Sequence, residues 1–417
     1  MNTPKLSLLK WGEEIEFPSS RKGEMFSHVV GARYPCRSVA YVPRLILSEI
    51  VTSDPSNVNV LDPFMGSGTT ALEANLRAFN AFGLEVDPYA RLIGEASVSR
   101  LTKSDLATMS AFFDNVENLF RSTRSLTSMV PEIPNIDHWF SKKSIADLAR
   151  IKRVVLEFTE AKPKYRSFLL AAFGDIIRGV SFAERQSLKP YVSSRFEKVP
   201  GDALALFQKC LEKYLNGAKA VSEVPEYGNG KINWVKGDAT SFVLNENIDV
   251  AITSPPYINA MDYVRCIRLE SSWVGTGSGE IFSDVRASQV GESARIRSCT
   301  VSQVVADVIK KDYESIVILD RQRAKTLAAY FEDMHQNLRC VFASLKPGGS
   351  YHIIVGDSVV RGIPVATHRH IADIGQLVGF EWKSYFKYQI KDHRTSLPRN
   401  GRGGKIESEN VVTLLKP

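Results

Sequence analysis

The chain has 417 residues, 44% of them hydrophobic and 10% aromatic, enough for a sizeable core and for two domains or one domain with large insertions. A formal charge of +7 and a pI near 9.0 favour a polyanionic partner. No run of about 18 apolar residues is present to span a membrane, and Met1-Asn2-Thr3-Pro4-Lys5 begins neither a secretory signal nor a transit peptide, so a cytoplasmic protein is expected. The five cysteines (Cys36, Cys210, Cys266, Cys299, Cys340) show no Cys-x-x-Cys spacing and no paired framework. They are expected to be reduced and mostly buried, with no metal.

In chain order, Arg33-Tyr34-Pro35-Cys36-Arg37 precedes a helical stretch from Val42 to Ile50. Val58-Asn59-Val60-Leu61-Asp62 reads as a short buried strand, followed by Pro63-Phe64-Met65-Gly66-Ser67-Gly68-Thr69-Thr70 and the helical run Ala71–Leu76. Glycines at such a junction let the backbone approach a ligand, and the helix N-terminus offers unpaired N–H groups. Strand Ala81–Leu84 ends at Glu85, where a carboxylate can accept from two ribose hydroxyls. On these residues alone a nicotinamide site stays open, with Ala71 as the third small residue. A triphosphate loop of the Gly-x-x-x-x-Gly-Lys type is absent.

From about 100 to 230 the pattern is helical. Ser141 opens a run through Glu157, Tyr165–Val180 forms another, and Asp202 is placed to cap a third, Ala203–Tyr214. Ile232–Ala239 is a short strand ending in Gly237-Asp238. Ile248–Ile252 is a buried strand stopped by the prolines of Thr253-Ser254-Pro255-Pro256-Tyr257. That turn brings a hydroxyl, a carbonyl outside any ladder and an aromatic face to the sheet edge. The set suits an exocyclic amine, with Ser254 and a proline carbonyl accepting its N–H bonds and Tyr257 stacking on the ring; the alternative is a plain strand-ending turn.

A second insert, about 258–340, carries Asn259, Asp262, Tyr263, Arg265 and Arg268. Its stretches Gly275–Gly279 and Ala294–Arg297 are candidates for a DNA-facing flap, and Ala324–Phe342 reads as a helix. Leu345-Lys346-Pro347-Gly348-Gly349 leads into the strand Ser350–Asp357. His368-Arg369-His370 is expected on a solvated face. Between the last two strands, Lys391–Lys405 sets Lys391, Arg394, Arg399, Arg402 and Lys405 against the single acid Asp392. This loop is read as phosphate-contacting, with a solvated hairpin as the alternative.

Asp62-Pro63-Phe64-x-Gly66-x-Gly68-Thr69, then Gly83-x-Glu85, then Ser254-Pro255-Pro256-Tyr257 resembles the S-adenosylmethionine-dependent DNA amino-methyltransferases of the cytosine-N4 and adenine-N6 type. The motif order is unpermuted, cofactor half first. The resemblance implies an α/β fold: a Rossmann-like class I methyltransferase sheet with helices on both faces, plus a largely helical insertion. It divides the chain into 1–99 (N-terminal segment and cofactor half), 100–230 (helical insertion, candidate DNA-recognition region) and 231–417 (catalytic half with the further insertion). It implies S-adenosylmethionine as cofactor, held by Asp62, Phe64, Gly66, Gly68, Thr69, Glu85 and Asp238, with Phe64 equally readable as a core residue. Ser254, Pro255, Pro256 and Tyr257 would be catalytic, and Arg394, Arg399, Arg402 and Lys405 would bind nucleic acid. Segment 33–37 resembles the family's N-terminal piece that packs over the methionine end of the cofactor.

Ser at the first position of the tetrapeptide implies cytosine N4 as the target, with adenine N6 as the alternative. The partners implied are double-stranded DNA with a flipped target base and, as a further candidate, a cognate restriction endonuclease. More distant readings are an RNA base amino-methyltransferase and a catalytically silent nucleic-acid-binding subunit. Cys36 follows a proline, as does the nucleophile of enzymes methylating carbon 5 of cytosine, but it lies before the glycine loop rather than after it and is read as structural.

Overall fold

The computed structural model describes residues 6–17, 29–31, 34–35, 37–195, 198–226, 228–258, 262–291, 300–391 and 406–417. Ten strands are found among them: β1 (Glu13–Ile15), β2 (Asn59–Asp62), β3 (Asn80–Gly83), β4 (Ile232–Trp234), β5 (Ile248–Thr253), β6 (Leu345–Val355), β7 (Ser358–Val360), β8 (Ile363–Val365), β9 (Glu381–Gln389) and β10 (Ser408–Leu415). Eight form one sheet in the order β1-β9-β10-β6-β5-β2-β3-β4, while β7 and β8 pair as a small ribbon. From β6 to β4 every pairing is parallel. β10 runs antiparallel to both of its neighbours, β6 and β9.

The aliphatic runs become central strands because alternate side chains face two different cores. Leu61, Ala251, Ile353 and Val412 point to one face, packed with the helices Arg321–Ser344 and Thr367–Val378. Val60, Val250, Ile252, Ile354 and Val411 point to the other, against Tyr41–Ser48 and Thr69–Asn75. A sheet covered on both faces is the Rossmann-like α/β class that the sequence implied. Helix Tyr41–Ser48 is pinned to the next by the buried Glu73, which accepts from Arg44 at 2.7 Å and from Arg77 at 3.3 Å.

The segment 100–230 is helical. Capping residues set its helix starts: Thr102 and Asp105 make a reciprocal capping box at Lys103–Ser122, Ser141 caps Lys142–Ala161 and Asp202 caps Ala203–Ser222. With Arg166–Val180, these helices bury Phe112, Leu148, Ile151, Phe168, Phe173 and Phe207 in a core shared with helix Pro88–Val98. Helix Tyr263–Val274, which begins just after the Ser-Pro-Pro-Tyr turn, joins that core through Ile267, Leu269 and Trp273. A buried ion pair holds it there: Arg178 Nε lies 3.2 Å from Glu270 Oε1, and Arg178 Nη2 donates to the Cys266 carbonyl at 2.7 Å.

Three findings differ from the sequence reading. β1 was not expected; it pairs parallel with β9, and Gly12 N donates to the Tyr385 carbonyl beside it. The helix capped by Asp202 runs on to Ser222. His368-Arg369-His370 is not a solvated face, since His368 is buried with Nδ1 2.7 Å from Asp357 and His370 Nε2 is 2.7 Å from Asp312. The start of an amphipathic helix turns alternate polar residues inward, and acids on neighbouring elements meet them there. Cys210, Cys266 and Cys340 are free thiols; Cys36 and Cys299 lie outside the described residues.

Candidate active site

Strand order reverses between β2 and β5: the chain moves from β2 to β3 on one side, and from β5 to β6 on the other. Open α/β sheets hold ligands at such a switch point, outside the carboxyl ends of the strands. Asp62 ends β2 and Thr253 ends β5, so both motifs reach this edge. A crevice partly open to solvent lies above them. Its walls include Asp62, Phe64, Gly66, Thr69, Glu85, Ser254 and Pro256, and Tyr34, Arg37 and Ser38 from the N-terminal segment.

The glycine loop folds back over β3 because Gly83 has no side chain. A Cβ there would stand 1.7 Å from Met65 Cε, and Met65 N donates to the Leu84 carbonyl at 2.9 Å. This draws Gly66 N to within 2.9 Å of Glu85 Oε2, while Asp87 N donates to Glu85 Oε1 at 2.7 Å. Burial, helped by the neighbouring Asp87, pushes the Glu85 carboxyl up to about 8. Gly66 (φ +51°) leaves its Cβ position open toward the crevice, with nothing closer than 3.9 Å. Gly68 does something else. A Cβ there would lie 3.1 Å from the Cα of Gly94, so its bare face seats the loop on helix Pro88–Val98.

Asp62 ties the two motifs together. Its Oδ1 accepts from Phe64 N at 3.0 Å and from the Thr253 hydroxyl at 2.7 Å, 191 residues away in sequence. Burial outweighs these bonds and raises its carboxyl to about 6. Thr253 was not singled out in the sequence; a β-branched residue closing a strand carries no distinguishing signal there. Thr69 opens the helix after the loop, and its buried Oγ1 has no hydrogen-bond partner among the described residues although it borders the crevice. A buried hydroxyl left this way calls for a ligand or water. Together with the bare Gly66 and the Glu85 carboxylate, it fits a nucleoside-type ligand.

On the other lip, Ser254 is half-buried in the crevice wall and Pro255 is buried beneath it. Tyr257 is anchored by its hydroxyl, which donates to Glu409 on β10; the Tyr388 hydroxyl donates to the other oxygen of the same carboxylate. Glu409 is buried, and burial raises its carboxyl despite both tyrosines. Beside Tyr257, Gly356 leaves room for Ile406: a Cβ there would stand 2.5 Å from Ile406 Cγ2 and at an ordinary 3.4 Å from Tyr257 Cε1. Asp238 caps its own turn, accepting from Thr240 N at 2.7 Å, and the adjacent Ala239 reaches the crevice wall. Arg394, Arg399, Arg402 and Lys405 lie outside the described residues. β9 ends and β10 begins at the same edge as Thr253, since Asn410 pairs with Val355 at the carboxyl end of β6.

Fold and crevice together define a Rossmann-like α/β protein with a ligand site at the switch point. The N6_N4_Mtase family model, described as DNA methylase, matches residues 21–95. Over 409 residues the chain is 22% identical to the Type II methyltransferase M.MvaI of Kocuria varians, covering 91% of this chain and 86% of that protein. It is 24% identical over 301 residues to the Type II methyltransferase M.BsoBI of Geobacillus stearothermophilus, spanning 64% of this chain and 55% of that relative. Among solved structures, the rRNA methyltransferase aviRa from Streptomyces viridochromogenes aligns over 95% of this chain and 96% of its own at 11% identity, with a TM-score of 0.32. No helix among the described residues is long and apolar enough to cross a membrane.

Proposed function

We propose that the protein is a site-specific DNA methyltransferase that transfers a methyl group from S-adenosylmethionine to the exocyclic amino group of cytosine, N4, in duplex DNA. The observation that carries this reading is the Asp62 carboxylate, hydrogen-bonded to both Phe64 N and Thr253 Oγ1. Through it a nucleoside-type cradle and an amine-accepting turn face one crevice. Similarity to two Type II methyltransferases and to the DNA methylase model supports DNA as the substrate.

Glu85 would accept from the ribose hydroxyls, Thr69 and the loop N–H groups would meet the polar end of the cofactor, and Phe64 would pack on its apolar surface. S-adenosylmethionine supplies an electrophilic methyl on a sulfonium centre. The amino nitrogen of cytosine is a poor nucleophile because its lone pair is delocalised into the ring. Ser254 and the Pro255 carbonyl would accept its two N–H bonds, favour a pyramidal nitrogen and so free that pair. Pro256 has no N–H to compete for the carbonyl. Flipping the base into the crevice costs a few kcal/mol, and stacking on Tyr257 offsets about 1–3 kcal/mol of it.

The test is to sequence the DNA of cells expressing the protein for modified bases, with Ser254→Ala as control. N4-methylcytosine in a fixed context, absent with the variant, is expected. N6-methyladenine would shift the reading to the adenine enzyme, and unmodified DNA would overturn it.

A further inference from the structure

Three arginines gather where the crevice meets the helical insertion. Arg265 and Arg268 lie one turn apart on helix Tyr263–Val274, whose first residue, Tyr263, borders the crevice. Arg286 is in the last turn of Gly279–Ser288, and Ser288 at the end of that helix, with Gln289 and Val290 directly after it, also borders the crevice. Arg265 is exposed, while Arg268 and Arg286 are half-buried. The guanidinium of Arg268 lies 5.1 Å from the centre of the Trp139 ring, which fixes it on the insertion.

The two helices also carry acids: Glu280 and Asp284 on Gly279–Ser288 are exposed, and among the described residues neither forms an ion pair with the three arginines. Asp262 caps the helix through Arg265 N at 2.8 Å and sits 3.5 Å from Arg286 Nε. Glu270, the other acid of the helix, is buried and taken by Arg178. Among the described residues neither Arg265 nor Arg268 has a carboxylate partner. Burial and then the charges of Arg265 and Arg286 push the Arg268 pKa down. Like charges held together in a half-desolvated seam cost stability unless an external anion relieves them.

We infer that Arg265, Arg268 and Arg286 form a phosphate-contacting track for the DNA backbone, leading from the crevice onto the helical insertion. The inference rests on the DNA reading above and adds contact residues other than Arg394, Arg399, Arg402 and Lys405. Planar guanidiniums suit phosphate oxygens, and Trp139 holds one of them in place without neutralising it.

The experiment measures duplex binding by the full-length protein and its Arg265→Gln/Arg268→Gln/Arg286→Gln variant between 50 and 200 mM salt. Binding of S-adenosylhomocysteine by calorimetry serves as the check on folding. Three lost phosphate contacts flatten the logarithmic salt slope by about 2.7, so the wild type should lose about 40-fold more affinity than the variant across that range. Arg268→Lys alone should keep the wild-type slope, because the charge remains. An unchanged slope in the triple variant overturns the inference while leaving the DNA reading intact. A wild type that binds no duplex overturns both.

Discussion

The two lips of the crevice are built by different means. The lip proposed for the cofactor is local: Asp62, Phe64, Gly66, Thr69 and Glu85 lie within one strand–loop–helix–strand unit, and its key bond, Gly66 N to Glu85, spans 19 residues. The lip proposed for catalysis is assembled from afar. Thr253 is fixed by Asp62 across 191 residues and Tyr257 by Glu409 across 152. A lip made of neighbours survives as a motif in sequence, whereas one made by long-range bonds shows only its contact residues and hides what holds them.

The largest expected effect separates the lips outright. Ser254→Ala should slow methylation about a hundredfold or more, the scale for losing one positioned hydrogen-bonding group. Calorimetric affinity for S-adenosylhomocysteine should stay within about twofold. A comparable loss of cofactor affinity would mean the lips are not separable.

Glu85→Gln tests the local lip. Losing one of its two acceptor oxygens costs about 1–3 kcal/mol, or roughly five- to a hundredfold in cofactor affinity. Its pH dependence gives a second readout. Because the folded carboxyl is raised to about 8, its contribution to ligand-free stability is complete below the ordinary carboxylate range and is lost as pH rises through 8. Thermal melts of the ligand-free wild type should therefore fall between pH 5 and 9, by on the order of 2–4 kcal/mol, and those of Glu85→Gln should fall less. Parallel curves would remove Glu85 as the titrating group.

Glu409→Gln tests the distant lip more gently. Gln presents only one acceptor where two phenols donate, a cost on the order of 1–3 kcal/mol. The variant should melt earlier and bind the target base more weakly, read as a smaller 2-aminopurine fluorescence rise at the target position. A variant as stable as wild type and equally able to capture the base would leave Tyr257 positioned by something else. The smallest effect concerns the basic loop, where neutralising Arg394 and Arg399 should flatten the salt slope by close to one unit per lost phosphate contact and leave sequence preference unchanged.

Legibility in the sequence followed the same division. Capping residues announced the helices at Ser141 and Asp202, and aliphatic runs announced β2 and β5. β1 gave no signal, since Glu13-Glu14-Ile15 has neither alternation nor length and exists because β9 offers it an edge. In the glycine motif both glycines looked alike; only the packing of Gly94 under Gly68 separates a helix contact from the open approach at Gly66. Glu409 was not singled out in the sequence, where one acid among the polar residues that open β10 carries no signal, and it is the buried anchor of two tyrosines.

The reversed β10 also has a consequence in time. Because it lies between β6 and β9, the sheet cannot close until residues 408–415 have been made. At roughly 5–20 residues per second, the interval from Val355 to Leu415 lasts about 3–12 s on the ribosome. Throughout it β6, its aliphatic core side chains already synthesised, presents an unpaired edge to other nascent chains. Newly made protein therefore keeps an unpaired sheet edge until its last strand is synthesised, and slowing decoding between 355 and 415 should lower soluble yield.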